Sequence, residues 1–391
     1  MKKLPMKPAK RMQPFTIYYF AQLDQIIYKL RVDGMDIIRL DIGSPDLPPP
    51  QEVIDTLSHS AAKSDVHGYQ PHLGPPQYRQ AWADVYLQDF NVQLDPDHEI
   101  VPLLGSKEGI FHFAQAIIDP GDIFIIPDLH YPSHIRSCLF SQGQPYFAPL
   151  TPENHYLPQI EAIPTEIADK AKIMWLNYPN NPTGATATYS FYEKLVEWAE
   201  NHQVLLCSDA AYNQVFFNGI KPPSVLQVPG GKEVAVEFNT LSKSHNMAGW
   251  RIAVLVGNPD ALGFFLSLKS NIDSGQFRPM LEAATTALRI EPSWIEDRNR
   301  IYRERRDIVI EHFQKNGLHI DPPSAAIYIW VPIPSGQEST QFTQQILKET
   351  GVSLAPGTIF GGSGEGYTRI SLVQPAAVID EALSRITKYW K

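Results

Sequence analysis

Two residues at the ends of apolar runs carry most of the chemical information in the sequence. Lys243, in LSKSHNMAGWR (241–251), lies three residues past Thr240, which closes the run EVAVEFNT (233–240). A lysine at the end of a buried strand is open to desolvation, which disfavours the ammonium and frees the amine as a nucleophile toward a carbonyl carbon. Read alone, a solvated loop lysine is the simpler account. Asp209, in SDAAY (208–212), follows VLLC and so sits at the mouth of a second apolar run. A carboxylate there needs a cationic or hydrogen-bonded partner, and a protonated heteroaromatic nitrogen would serve as well as a helix N-cap would.

Other fragments add donors. Tyr212 lies three residues beyond Asp209, and Asn181 sits in the turn of NYPNNPTG (177–184); both could donate to an oxygen on a bound ring, although a turn without chemistry accounts for Asn181 equally. In LLGSKEGIFHF (103–113) an apolar run, then Gly105-Ser106-Lys107, then a helical pattern places free N–H groups at a helix N-terminus, where anions bind. By itself this is also an ordinary strand–helix turn. Tyr131, in PDLHYPSH (127–134), could stack on a flat ring or fill a core. Gly43, in DIGSPD (41–46), permits close backbone approach. Arg369, in YTRISL (367–372), could clamp a carboxylate through two parallel bonds, though a lone strand arginine is usually a surface residue.

These residues need elements to hold them. Strand-like runs occupy 98–105, 122–128, 144–150, 172–179, 203–209, 233–240 and 252–258. Between them lie helical patterns such as FYEKLVEWAENH (191–202), with Tyr192, Leu195, Val196 and Ala199 at helical spacing. The alternation predicts an α/β fold with a mostly parallel seven-stranded sheet covered by helices on both faces. Ligands bind such sheets at the carboxyl ends of the strands. The last third changes pattern: helix (299–315), strand (325–332), helix (339–350), strand (367–372), helix (376–390). A large domain is therefore expected over 41–285 and a smaller α+β domain over 286–391, with an N-terminal arm, 1–40, packing against the latter.

The 391 residues carry 33 basic and 42 acidic side chains, a net charge of −9. That balance argues against nucleic-acid binding, which needs clustered Lys and Arg. Cys138 and Cys207 lie in apolar strings and are expected to be buried and reduced. The basic start MKKLPMKPAKRMQ is not followed by an apolar stretch of signal-peptide type. No apolar run approaches the roughly 18 residues of a membrane span, so a cytoplasmic protein is expected. The 34 prolines are scattered through apolar sequence rather than gathered into a linker.

The order and spacing of the fragments, from about Asp41 to Arg369, resemble the class I and II aminotransferases of pyridoxal 5′-phosphate (PLP) fold type I. The resemblance implies that Lys243 carries the cofactor as a Schiff base and moves protons, that Asp209 pairs with the pyridinium nitrogen, and that Tyr212 and Asn181 bond its ring oxygen. It implies a phosphate site from Thr240, Arg251 and the backbone of Ser106 and Lys107, with Tyr131 stacked on the ring. Arg369, helped by Gly43 and Asn181, would bind the substrate α-carboxylate. Tyr69, in HGYQP (67–71), matches a tyrosine that reaches the cofactor phosphate of a neighbouring subunit, which implies a homodimer. No metal is implied. The family often has Ser or Thr where Lys107 stands. GSKEGI (105–110) and NIDSGQF (271–277) are similar to the LL-diaminopimelate subgroup, so glutamate, aspartate or LL-diaminopimelate are the candidate donors. A PLP β-lyase or decarboxylase of the same fold is the nearest rival reading. A non-enzymatic ligand-sensing domain is disfavoured, since only 40 residues precede Asp41.

Overall fold

A computed structural model describes residues 6–15 and 17–390. In chain order its strands are β1 (Ile38–Arg39), β2 (Ile100–Leu103), β3 (Ile123–Pro127), β4 (Gln144–Ala148), β5 (Ala171–Leu176), β6 (Leu205–Asp209), β7 (Ala235–Thr240) and β8 (Ala253–Gly257). There follow β9 (Tyr328–Pro332), β10 (Val352–Ser353), β11 (Ala355–Pro356) and β12 (Tyr367–Ser371). Strands β2 to β8 form one seven-stranded sheet in the order β2-β8-β7-β6-β5-β3-β4. Only β8 runs antiparallel to its neighbours, β2 and β7; the other pairs are parallel. The expected mostly parallel sheet is thus observed.

The strands are apolar because both faces are covered. Successive side chains point to opposite faces, and β8 shows the consequence. Val254 and Val256 join a core with Trp82, Tyr86, Leu176 and Leu206. Ala253 and Leu255 join a second core on the other face, with Phe113, Phe124, Trp175 and Phe238. Cys138 and Cys207 lie in this second core, buried and free.

A smaller antiparallel sheet, in the order β11-β12-β9, packs with the helices Pro292–Lys315, Ser339–Thr350 and Ala376–Ile386 around Tyr302, Phe313, Ile329, Ile370 and Leu383. Most element ends lie one to several residues from the sequence reading, and two of the shifts have a local cause. The helix expected from 299 begins at Pro292, since proline fits the first helical turn, where its missing N–H has no partner to lose. The run 325–332 pairs with β12 only from Tyr328; before it, Ala325 bridges Phe216, and Ala326 takes a left-handed conformation (φ 66°) and donates to Val215 O at 2.8 Å.

The N-terminal segment touches both regions. The helix Tyr19–Val32 buries Leu23 and Ile27 against Leu347, and β1 pairs with β10. Further out, Phe15 meets Phe140 edge-on at 6.0 Å, beside the large sheet. Among the described residues no helix is long and apolar enough to cross a membrane.

Candidate active site

β7 ends at Thr240, whose side chain accepts from the Ser242 N–H at 3.1 Å and so starts the single helical turn Leu241–Ser244. That turn projects Lys243 into a cavity of about 420 Å³ at the carboxyl ends of the parallel strands. The Lys243 amine donates to the Gly43 carbonyl. Burial pushes its pKa down to about 8, helped by the charges of Arg369 and Arg251 and opposed by Asp209. Ser242 lines the same cavity, whereas Ser244 turns back to donate to Thr240 O at 2.9 Å.

Asp209 closes β6. One carboxylate oxygen, Oδ2, accepts from His134 Nε2 at 2.9 Å. The other, Oδ1, is buried without a partner. His134 is itself fixed by a stacked contact with Trp175, centroids 4.8 Å apart and planes at 10°. Asn177 ties the neighbouring strand ends together: its Nδ2 donates to Asp209 O at 2.7 Å, and its Oδ1 accepts from the Asn181 N–H at 2.9 Å.

Asn181 Oδ1 in turn accepts from Arg369 Nη1 at 2.8 Å, which leaves its Nδ2 as the free donor. Arg369 also donates to Asp41 O at 2.5 Å and lies 4.0 Å from the centre of the Tyr328 ring; its Nε is buried without a partner. The Tyr328 and Tyr212 hydroxyls share a hydrogen bond of 2.8 Å. Gly43 owes its identity to this corner, because a Cβ there would stand 2.0 Å from the Tyr328 hydroxyl.

The opposite wall is an anion cradle. Gly105 (φ 88°) precedes the helix Ser106–Ile117, and a Cβ at Gly105 would lie 2.0 Å from Arg251 Nη2. Only glycine both adopts that conformation and lets the guanidinium reach the helix N-terminus. Ser106 Oγ is buried without a partner, and first-turn N–H groups have none within the helix. The Lys107 side chain leaves the cradle for the wall, its Nζ 4.5 Å from the centre of the Tyr18 ring. Burial lowers its pKa, with Arg136 and Arg251 adding to the shift.

Eleven of the twelve residues singled out in the sequence line this cavity. The twelfth, Tyr69, does not: it is 96% exposed. Sequence reasoning missed His134, Asn177, Tyr18 and Tyr328. His134 was discoverable, lying one helical turn beyond Tyr131 and offering the partner that Asp209 requires. Tyr18 and Tyr328 carried no signal beyond being aromatic. A larger hollow of about 660 Å³ opens between the helix Pro76–Phe90 and the start of Pro292–Lys315. It places no amine beside an unpaired carboxylate, so size does not mark the site.

The donor set fits a flat, phosphorylated pyridine aldehyde. Lys243 offers an amine to the aldehyde, and the orphaned Asp209 Oδ1 suits a protonated ring nitrogen. Ser106 Oγ and Arg251 at a helix N-terminus suit a phosphate. Arg369 remains for a carboxylate of a second molecule.

The family model for aminotransferase class I and II matches residues 35–386. The LL-diaminopimelate aminotransferase of Moorella thermoacetica is 42% identical over 383 residues, which covers 98% of each chain. Among solved structures, substrate-bound BacF from Bacillus subtilis superposes with a TM-score of 0.95 at 34% identity, covering 98% of each chain. A probable N-succinyldiaminopimelate aminotransferase from Thermus thermophilus gives a TM-score of 0.90 at 34% identity, covering 95% of this chain and 99% of that one.

Proposed function

This chain belongs to the class I and II aminotransferases, and we propose that its cavity binds PLP between Lys243 and Asp209 and transaminates an amino acid of the diaminopimelate type. It is a PLP-dependent enzyme that exchanges an amino group between an amino acid and a 2-oxo acid. One observation carries the reading of the site: the Lys243 amine and the unpaired, buried Asp209 Oδ1 line one cavity.

When bound, PLP supplies an electrophilic carbon and an electron-withdrawing ring. The protein's own groups do the rest. Lys243 Nζ, with its pKa drawn down to about 8, is placed to take the proton from the substrate α-carbon and to deliver it, across the linking nitrogen, to the carbon that was the cofactor's aldehyde. Asp209 Oδ1 holds a proton on the ring nitrogen, and His134 keeps that carboxylate in place. Tyr212 Oη and Asn181 Nδ2 donate to the ring oxygen, while Tyr131 covers a ring face. Ser106, the backbone of Lys107, Thr240 and Arg251 hold the phosphate. Arg369 receives the α-carboxylate beside the Gly43 backbone.

The diaminopimelate assignment rests on the relatives' names and on a surplus of positive charge at the wall. Lys107 and Arg136 both stand over the Tyr18 ring, at 4.5 and 5.0 Å, which suits a donor with a second carboxylate. The working enzyme is a cytoplasmic homodimer in which Tyr69 reaches the phosphate bound by the partner subunit. Support comes from the 96% exposure of that aromatic residue. The chain divides into an arm (1–40), a large domain (41–285) and a small domain (286–391). The change of partners between the helices Arg278–Leu288 and Pro292–Lys315 supports a division near that point and moves the join from 285 to the turn after Leu288, since Ala287 packs in the core of the large sheet.

A panel of amino donors against 2-oxoglutarate, followed by the change from the lysine-bound to the amine form of the cofactor, tests the reading. LL-diaminopimelate is expected to turn over fastest. Release of pyruvate and ammonia without an acceptor would instead identify a β-lyase.

A further inference from the structure

The two motifs similar to the diaminopimelate subgroup, GSKEGI (105–110) and NIDSGQF (271–277), meet in space through one ion chain centred on the buried Lys269. Glu108, in the first turn of Ser106–Ile117, accepts through Oε2 from the Leu104 N–H at 2.9 Å. Its Oε1 contacts His112 Nδ1 at 2.5 Å and Lys269 Nζ at 3.2 Å. Lys269, only 3% exposed, continues the chain to Asp273 Oδ2 at 2.6 Å. Glu108, His112 and Asp273 offer ligand atoms within 4.8 Å of one another, a grouping able to hold a cation. The Lys269 ammonium supplies that positive charge.

The same loop grips the other side of the anion cradle. Gln276 Nε2 donates to the Arg251 carbonyl at 2.7 Å. Arg251 holds a left-handed backbone conformation (φ 56°), unfavourable for a residue with a Cβ and maintained only where surrounding contacts enforce it. That conformation brings Arg251 Nη2 against Gly105. Gly275, between the two gripping residues, is bridged to Gln70, and a Cβ there would lie 2.2 Å from Pro71 O.

We propose that Glu108, Lys269, Asp273 and Gln276 are positioning residues that set the cradle for the cofactor phosphate. Asp273, through Lys269 and Glu108, fixes the strand end at Leu104 and hence the Ser106–Lys107 N–H groups. Gln276 fixes the backbone of Arg251. The 271–277 loop therefore acts on cofactor affinity rather than on the substrate side chain. This rests on the phosphate lying between Ser106 and Arg251.

The test strips cofactor from the full-length enzyme and titrates it with PLP and with pyridoxal, which lacks the phosphate. Lys269→Met leaves two partly buried carboxylates without their cation. It is expected to weaken PLP on the order of tenfold or more, about 1.4 kcal/mol per factor of ten, with pyridoxal affinity unchanged and Lys269→Arg restoring most of the loss. Gln276→Leu removes no charge and is expected to show the same selectivity for the phosphate; it carries the test if Lys269→Met does not fold. Equal losses for both ligands would mean general loosening and would overturn the proposal, as would no loss for either. A wild-type enzyme that binds PLP no better than pyridoxal would instead overturn the phosphate placement beneath it.

Discussion

His134 and Asp209 meet at 2.9 Å with side chains only 1% and 5% exposed, and the contact uses just one of the two carboxylate oxygens. A buried carboxylate oxygen without a partner is costly. A cationic ring nitrogen of the cofactor is the partner that relieves it. The imidazole then has one task, to hold the carboxylate's orientation through Nε2–H while its own ring is clamped against Trp175.

Asp209→Asn keeps the size and removes the charge. It is expected to lower kcat/KM by roughly two orders of magnitude or more, the scale of losing a preorganised electrostatic contact. His134→Ala, which disturbs only the orientation, is expected to cost less. Single-turnover rates with a good amino donor measure both. Near-normal turnover in Asp209→Asn would mean that the ring nitrogen has another partner.

Lys243→Ala is expected to abolish transamination and the absorbance of the lysine-bound cofactor; retained activity would end the assignment. The wild-type lysine makes a second, pH-dependent prediction. Its folded value, about 8, lies below the ordinary lysine value of about 10.4. Between the two the unfolded chain binds more protons than the folded one. The stability of the cofactor-free protein therefore rises with pH across that window, and the contribution is lost as pH falls through about 8. Labelling of the Lys243 amine should follow the same midpoint, and Arg369→Met, which removes the larger neighbouring charge, should shift it upward. A midpoint unmoved by that change would show that the Arg369 charge does not contribute to the shift.

The sheet was legible because its strands are buried on both faces and read as unbroken apolar runs bounded by helical spacing. Ten of the eleven cavity residues were legible for a related reason: each follows such a run or lies in a Gly- or Pro-marked turn near the strands' carboxyl ends, whereas Arg369, inside β12, stood out only as a lone charge in an apolar strand. Tyr328 was not, because it lies within a strand and differs from its apolar neighbours by one hydroxyl. Nor was Tyr18, which reaches the cavity from an arm whose path depends on contacts such as Leu23 against Leu347. Asn177 was hidden beside Asn180 and Asn181, since turn composition cannot say which amide points inward.

Glu237 is a buried carboxyl that the chemistry does not use. It is 1% exposed, and Tyr86, Ser224 and Ser208 donate to it at 2.8, 3.0 and 3.1 Å, with no cation in the set. Burial raises its pKa, and the three donors only partly offset that. The folded chain therefore holds this proton to a higher pH than the unfolded one. The associated stability is fully present below the usual carboxylate range and is lost as pH rises through the raised value. Glu237→Gln is expected to flatten the decline of the melting temperature over this window while leaving the cofactor spectrum unchanged. Parallel melting curves for variant and wild type would show that the carboxyl titrates normally.

Arg369 supplies the last test, because its surroundings separate charge from shape. The guanidinium reaches Asn181 Oδ1 and Asp41 O while its flat face lies against Tyr328 and Phe360, at 4.0 and 4.8 Å from their ring centres. A lysine keeps the charge but cannot span both acceptors, present two parallel donors to a carboxylate, or stack as a plane. Arg369→Lys should therefore behave much like Arg369→Ala. Both are expected to raise KM for amino donors roughly ten- to a hundredfold, since a hydrogen bond to a charged group contributes about 1.5–3 kcal/mol. kcat should fall less, because the contact holds substrate and transition state alike. An unchanged KM in both variants would move the carboxylate site elsewhere, and full rescue by lysine would show that charge alone suffices.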